Sequence, residues 1–292
     1  VEFLKKHFCL ITMKEFLENK KNMSKKVQAV YLWWHKPVID KDLLQSLPNL
    51  KVIANSGVGM DHLDLKLVAS FGVKMANAPC AVSSSTADTG MALLLASARR
   101  LVEGPTQPVD TKHILICHLF AALMEYLRLY TSGIMVDDIF MTDALKCSVI
   151  LCFPIRKEQE EQAVGALYCE KIDDLLCQAD FVMVVVSLTP QTHKLIGKRE
   201  MELMKPTATL INISRGLVVD QDALVEALQN KVIKAAALDV TYPEPLPRDH
   251  LLLKLKNVII TPHIGSATVK TRHLMKENMT ESIQAGLAGL PI

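Results

Sequence analysis

Four short runs of almost unbroken apolar residues, at 180–187, 207–213, 233–238 and 257–261, constrain this chain more than any other feature. A strand with one wetted face alternates polar and apolar side chains. A run without that alternation belongs to a strand covered on both faces, the situation of a parallel sheet. Parallel neighbours also need a crossover, and segments with helical patterning at about 172–177, 198–204 and 220–229 each precede one of the first three runs. The pattern therefore predicts an α/β unit with helices on both sides of a parallel sheet.

Three polar residues stand where these runs give way to loops. Arg215 follows Leu210-Ile-Asn-Ile-Ser, Glu244 lies in Leu238-Asp-Val-Thr-Tyr-Pro-Glu-Pro-Leu-Pro, and His263 lies in Thr261-Pro-His-Ile-Gly-Ser. Taken singly, each has a plain reading: a surface cation, a solvated turn carboxylate, and a loop imidazole bonded to backbone. Their spacing argues for a set. Twenty-nine residues separate Arg215 from Glu244 and nineteen separate Glu244 from His263, each about one strand plus its crossover. Loops after parallel strands are where open α/β sheets bind ligands. A guanidinium fork there can hold a carboxylate and polarise a carbonyl, and a histidine paired with a carboxylate can carry a proton near neutral pH. The chemistry that fits is hydride transfer to a 2-oxo acid.

At 292 residues, half of them hydrophobic, the chain is long enough for about two domains. Its 33 basic and 31 acidic residues leave +2, which offers no broad field for nucleic acid or an anionic membrane. Seven cysteines without a CxxC pair read as reduced thiols of a cytoplasmic protein, and no metal site is expected. The most apolar tract, 114–124, carries His118 and is too short to span a bilayer. A first residue of Val1 and a last of Ile292 suggest that both ends are trimmed.

Nearer the start, residues 49–54 read as a strand entering the turn Ser56-Gly57-Val58-Gly59, where backbone amides can face an anion. Asp61, His62 and Asp64 lie along one short turn with no further ligand cluster and read as structural. Ser85 and Asp88 are spaced like a capping box ahead of a helix over 87–101. Met275, Met279, Ile283 and Leu287 recur every four residues, the core face of a last helix. The lysines at 20–21 and 25–26 read as a solvated face.

Together these motifs resemble the D-isomer-specific 2-hydroxyacid dehydrogenases, most closely the animal glyoxylate/hydroxypyruvate reductases, over about 1–104 and 156–292. The resemblance implies two Rossmann-like domains with parallel sheets: a substrate domain of 1–82 plus 269–292, and an NAD(P)-binding domain of 83–268. It implies catalytic roles for Arg215, Glu244 and His263, and substrate contacts from Val58, Gly59, Arg215, His263, Gly265 and Ser266. Ser187, Ile213, Asp239, Gly265 and Arg156 are the implied cofactor contacts. The implied reaction is NAD(P)H-dependent reduction of hydroxypyruvate to D-glycerate and glyoxylate to glycolate, in a homodimer without nucleic-acid or membrane partners.

Residues 105–155 depart from that family. A dinucleotide fold needs a glycine-rich turn before a helix whose N-terminus faces the pyrophosphate, and Gly133 is the one glycine between Gly104 and Gly165. The cofactor domain is therefore expected to be incomplete in its first half and to bind the cofactor poorly. Ser148 to Ile155 reads as a remnant of the second strand; Arg156 and Lys157 after it favour NADP over NAD. The alternative is a catalytically impaired splice or gene-model variant that acts as a non-enzymatic binding protein on the same scaffold.

Overall fold

The computed structural model of the chain describes residues 2–99, 101, 150–151, 158, 162 and 167–292. Its contacts divide it into two compact units, Val1–Val82 with Ser266–Ile292, and Ser83–Gly265. The second boundary falls three residues before the one read from sequence. The reason is local: Thr268 caps the last helix by accepting the Thr271 amide at 3.1 Å, and that helix packs in the first unit.

In the first unit, short helices α1 (Glu2–Lys5), α2 (Met13–Glu18) and α3 (Lys20–Met23) precede β1 (Ala29–Leu32). Next come α4 (Lys41–Ser46), β2 (Val52–Asn55), α5 (Leu65–Ser70) and β3 (Lys74–Ala76). The three strands form a parallel sheet in sequence order, with Leu32 opposite Asn55 and Ala54 opposite Ala76. β2 is buried throughout because its two faces meet different partners. Ile53 joins Leu32, Leu44 and Val68 in one cluster, while Val52 and Ala54 join Met275, Met279 and Ile283 of the C-terminal helix in another. A Cβ on Gly286 of that helix would lie 2.0 Å from Val52 Cγ2, so the glycine sets how closely helix and strand approach.

A 20-residue helix, α6 (Pro79–Ala98), follows; Val82 at the end of the first unit's leading segment and Ser83 at the start of the second both lie in it. The capping box read at Ser85 and Asp88 is a correction here, because the helix begins earlier and Ser85 is buried inside it. A proline at the first helical position lacks only an amide that no intrahelical carbonyl would accept, which suits the earlier start. The true capping box is at α2, where Glu15 N–H donates to Thr12 Oγ1 and Thr12 N–H donates to the Glu15 carboxylate.

In the second unit, β4 (Ile150–Leu151) pairs in parallel with β5 (Leu167–Tyr168), within the stretch read as a strand remnant. The rest of 105–155, with Arg156, lies outside the described residues. Then come α7 (Ile172–Gln178), β6 (Phe181–Val184), α8 (Lys198–Leu203), β7 (Thr209–Asn212), α9 (Gln221–Gln229), β8 (Ala235–Leu238) and β9 (Val258–Ile260). β6 to β9 form a four-stranded parallel sheet in sequence order. Val182, Val184, Leu210 and Leu238 pack with Leu176, Met201, Leu224 and Leu228 of the three helices. Ile211 and Ala237 face the other way and pack with Leu93 of α6. This is the two-faced coverage that the unbroken apolar runs predict. The last helix, α10 (Val269–Leu287), returns to the first unit. Among the described residues, no helix is long and apolar enough to cross a membrane.

Candidate active site

Two strand ends of the second unit, those of β7 and β8, are organised by short polar side chains. β7 ends on Asn212, whose carboxamide oxygen accepts Ser214 N–H at 3.0 Å and Ser214 Oγ at 2.8 Å. Its Nδ2 donates to the Arg215 carbonyl at 2.9 Å, and Arg215 Nη1 donates to the Ser214 carbonyl at 2.8 Å. The strand end thereby fixes the residue that bears the guanidinium. A Cβ on the next residue, Gly216, would sit 2.1 Å from the Thr241 carbonyl oxygen and 2.7 Å from Tyr242 N. Only glycine allows the Arg215 loop to rest on the backbone of the loop that carries Glu244.

Asp239, the first residue past β8, is 2 % exposed. Its Oδ1 accepts Thr261 Oγ1 at 2.5 Å and Ile264 N–H at 2.9 Å, and its Oδ2 accepts Gly265 N–H at 2.8 Å. The Asp239 backbone carbonyl accepts the His263 amide at 2.8 Å. Main chain and side chain of one residue therefore secure both sides of His263, which is held at φ 52. A non-glycine residue in that region costs about 1–2 kcal/mol, and such conformations persist where surrounding bonds over-determine them.

Glu244 bridges its own loop and the histidine. Its Oε1 accepts Thr241 N–H at 3.0 Å, and its Oε2 lies 2.8 Å from His263 Nδ1. Gln221, the first residue of α9, clamps the same loop: its Nε2 donates to the Tyr242 carbonyl at 2.8 Å and its Oε1 accepts Tyr242 N–H at 3.1 Å. Burial pushes the Glu244 carboxyl up, but the bond to the His263 ring, the Thr241 amide and the Arg215 charge outweigh it and hold the group below its ordinary value. An ionised carboxylate only accepts, so Nδ1 carries the proton of this bond.

In the first unit, the turn after β2 places Val58 and Gly59 with backbone N–H groups that make no hydrogen bond among the described residues. Asp64 caps α5 by accepting the Leu67 amide at 2.9 Å, and the His62 ring stacks on His35 at 4.0 Å. Among the described residues, no three His, Cys, Asp or Glu side chains gather as a metal site.

The positions read as cofactor contacts follow the C-terminal ends of successive strands. Ser187 is exposed beyond β6 and its carbonyl accepts Thr192 Oγ1 at 2.6 Å; Ile213 is buried directly after β7. Asp239 has both carboxylate oxygens engaged by the His263 loop. Gly265 is buried, and a Cβ there would press on Asp239 Oδ2 and Thr86 Oγ1 at 3.2 Å. Ser266 is half-buried and belongs to the first unit. This edge fits the nicotinamide end of a dinucleotide, with small, apolar and backbone groups where a flat ring must pack.

A parallel α/β sheet whose C-terminal edge carries an arginine and a carboxylate-bound histidine suits hydride transfer to a carbonyl beside a carboxylate. Comparison with known proteins narrows the class. Residues 138–265 match the D-isomer specific 2-hydroxyacid dehydrogenase NAD binding domain, so the match begins inside the stretch 105–155 that departs from the family by sequence. Glyoxylate/hydroxypyruvate reductase B of Pectobacterium carotovorum is 37% identical over 259 residues, 86% of this chain and 80% of that protein. The TT0316 protein of Thermus thermophilus superposes with a TM-score of 0.72 at 31% identity, covering 97% of this chain and 89% of that one. The NADPH-dependent glyoxylate/hydroxypyruvate reductase of Sinorhizobium meliloti, solved with NADP and malonate, gives 0.67 at 25% identity over 92% and 83%. The chain belongs to the D-isomer-specific 2-hydroxyacid dehydrogenase family.

Several contributors escape a reading of the sequence alone. Asn55 and Asn212 each end a buried strand, and Asp239, read from the sequence only as a cofactor contact, directly follows one and anchors the His263 loop. That recurrence is a visible signal, overshadowed by the charged residues further along each loop. Gln221 carries no such mark, since its partner lies across the fold.

Proposed function

We propose that this protein reduces small 2-oxo acids, hydroxypyruvate to D-glycerate and glyoxylate to glycolate, with a reduced nicotinamide cofactor. The observation that carries the reading is the 2.8 Å pairing of His263 Nδ1 with Glu244 Oε2 at the strand edge that also bears Arg215. When bound, the cofactor supplies hydride to the carbonyl carbon of the substrate. Arg215 and the Val58 and Gly59 amides hold the substrate carboxylate, and Arg215 draws charge toward the carbonyl oxygen. His263 gives the proton at Nε2 to that oxygen as it becomes an alkoxide, leaving a neutral ring and a hydroxyl group. Glu244 keeps the ring oriented through the 2.8 Å bond at Nδ1. Ser187, Ile213, Asp239 and Gly265 are the candidates to hold the nicotinamide and its ribose, with Gly265 and Ser266 beside the substrate.

Arg156 and Lys157, a basic pair after the second strand, support NADPH over NADH. The reading also places the protein in the cytoplasm as a homodimer. The names of the relatives support the two substrates, and nothing about a non-catalytic binding role requires an oriented histidine. A panel of 2-oxo acids assayed with NADPH and NADH tests the proposal. Preference for hydroxypyruvate and glyoxylate is expected; preference for a branched or aromatic 2-oxo acid would sink it.

A further inference from the structure

Asn55, the last residue of β2, is 3 % exposed, and its Nδ2 donates to the Gly57 carbonyl at 3.0 Å and to the Gly59 carbonyl at 2.9 Å. Asn77, just past β3, donates from Nδ2 to the Val58 carbonyl at 2.8 Å. The Ala78 amide adds a second bond to the Gly57 carbonyl at 3.3 Å. Three successive carbonyls of one turn are therefore taken, all by groups of the first unit. In a trans peptide the carbonyl of one residue and the N–H of the next point opposite ways. Fixing the carbonyls of Gly57, Val58 and Gly59 thus fixes the amides of Val58, Gly59 and Met60, each directed away from the carboxamide that holds its peptide. The Val58 and Gly59 amides make no hydrogen bond among the described residues. Successive amides left in this state suit an anion.

We infer that Asn55 and Asn77 are positioning residues: they hold the turn by its carbonyls so that its amides meet the substrate carboxylate. The inference rests on the reading of Val58 and Gly59 given above. Asparagine suits the task because it donates without a charge, whereas an aspartate of the same shape only accepts and would oppose the carbonyl.

The test uses the whole chain in wild-type form and as Asn77→Ala, Asn77→Asp and Asn55→Ala. Oxamate, a 2-oxo-acid analogue, is titrated into ¹⁵N-labelled protein, and hydroxypyruvate reduction is followed at saturating NADPH. Wild-type Val58 and Gly59 amide resonances should shift with oxamate. Asn77→Ala should weaken oxamate binding and raise KM by about tenfold, the scale of one lost hydrogen bond, with kcat changed much less. Asn77→Asp should be worse than Asn77→Ala, the opposite of what loss of shape alone produces. Asn55 is buried, and its alanine variant should also lose stability; the half-buried Asn77 therefore carries the comparison. Unmoved wild-type resonances would overturn the carboxylate reading itself. Moved resonances with Asn77 variants equal to wild type in oxamate affinity and KM would overturn the positioning role alone.

Discussion

The strand ends of the two units solve the same problem with opposite signs. After β2, neutral carboxamides donate to the backbone and consume its carbonyls, so amides are what the turn has to offer. After β8, the Asp239 carboxylate accepts from the backbone and consumes its amides, so the loop offers the His263 side chain instead. Both arrangements leave few groups to relax, because Asn55 and Asp239 are buried and each holds at least two backbone groups. The difference teaches that the residue closing a buried strand decides whether main chain or side chain faces a ligand.

The sharpest way to break this comparison is at His263. His263→Ala should lower kcat by about a hundredfold or more, the usual scale for a lost general acid, while the KM effect at Asn77 leaves kcat nearly intact. Steady-state kinetics on both variants separates the two edges, and an unchanged kcat in the histidine variant would remove it from the mechanism. Asp239→Asn should cost about 1–3 kcal/mol by urea denaturation, since one amide or hydroxyl of the His263 loop then meets an NH₂ group. A loss equal to that of a surface substitution would show that the loop holds without the carboxylate.

A third variant, Gly216→Ala, tests whether the Arg215 and Glu244 loops depend on their close approach. The added methyl meets backbone, not a flexible side chain, so a loss of about 1–3 kcal/mol is expected. Thermal unfolding of the variant reads it directly. The smallest effect is the pH dependence of the Glu244 contribution. Because its pKa is depressed in the folded protein, its stabilisation is complete above the unfolded value of about 4.3 and is lost as pH falls through the lower folded value. The difference in melting temperature between wild type and Glu244→Gln should therefore narrow only below about pH 4.3; narrowing already near pH 6 would contradict the depressed pKa.

Much of the second unit is legible in the sequence because its signal is dense. The apolar runs at 180–187, 207–213, 233–238 and 257–261 contain β6 to β9, and the segments ahead of the first three runs contain α7 to α9. Arg215, Glu244 and His263 can be picked out because a charged residue just past an apolar run is rare enough to notice. The start of α6 lies eight residues before the position the sequence suggests, since the serines at 83–85 imitate a cap while the helix extends back to Pro79. Local polar chemistry is the same for a cap as for a buried turn of helix; burial alone distinguishes them.

Sequence by itself determined which strands are covered on both faces and which loops carry the charged residues, because side-chain hydrophobicity and spacing are properties of the chain. Only the tertiary structure decided that Glu244 meets His263 and not solvent, that Asp239 binds the loop 22 to 26 residues further on, and that Asn77 reaches back 19 residues to Val58. Those bonds link neighbouring strand ends, and their partners are set by the parallel register, which brings distant residues side by side. A hydrogen bond depends on distance and direction in space, and neither is written in the order of residues along the chain.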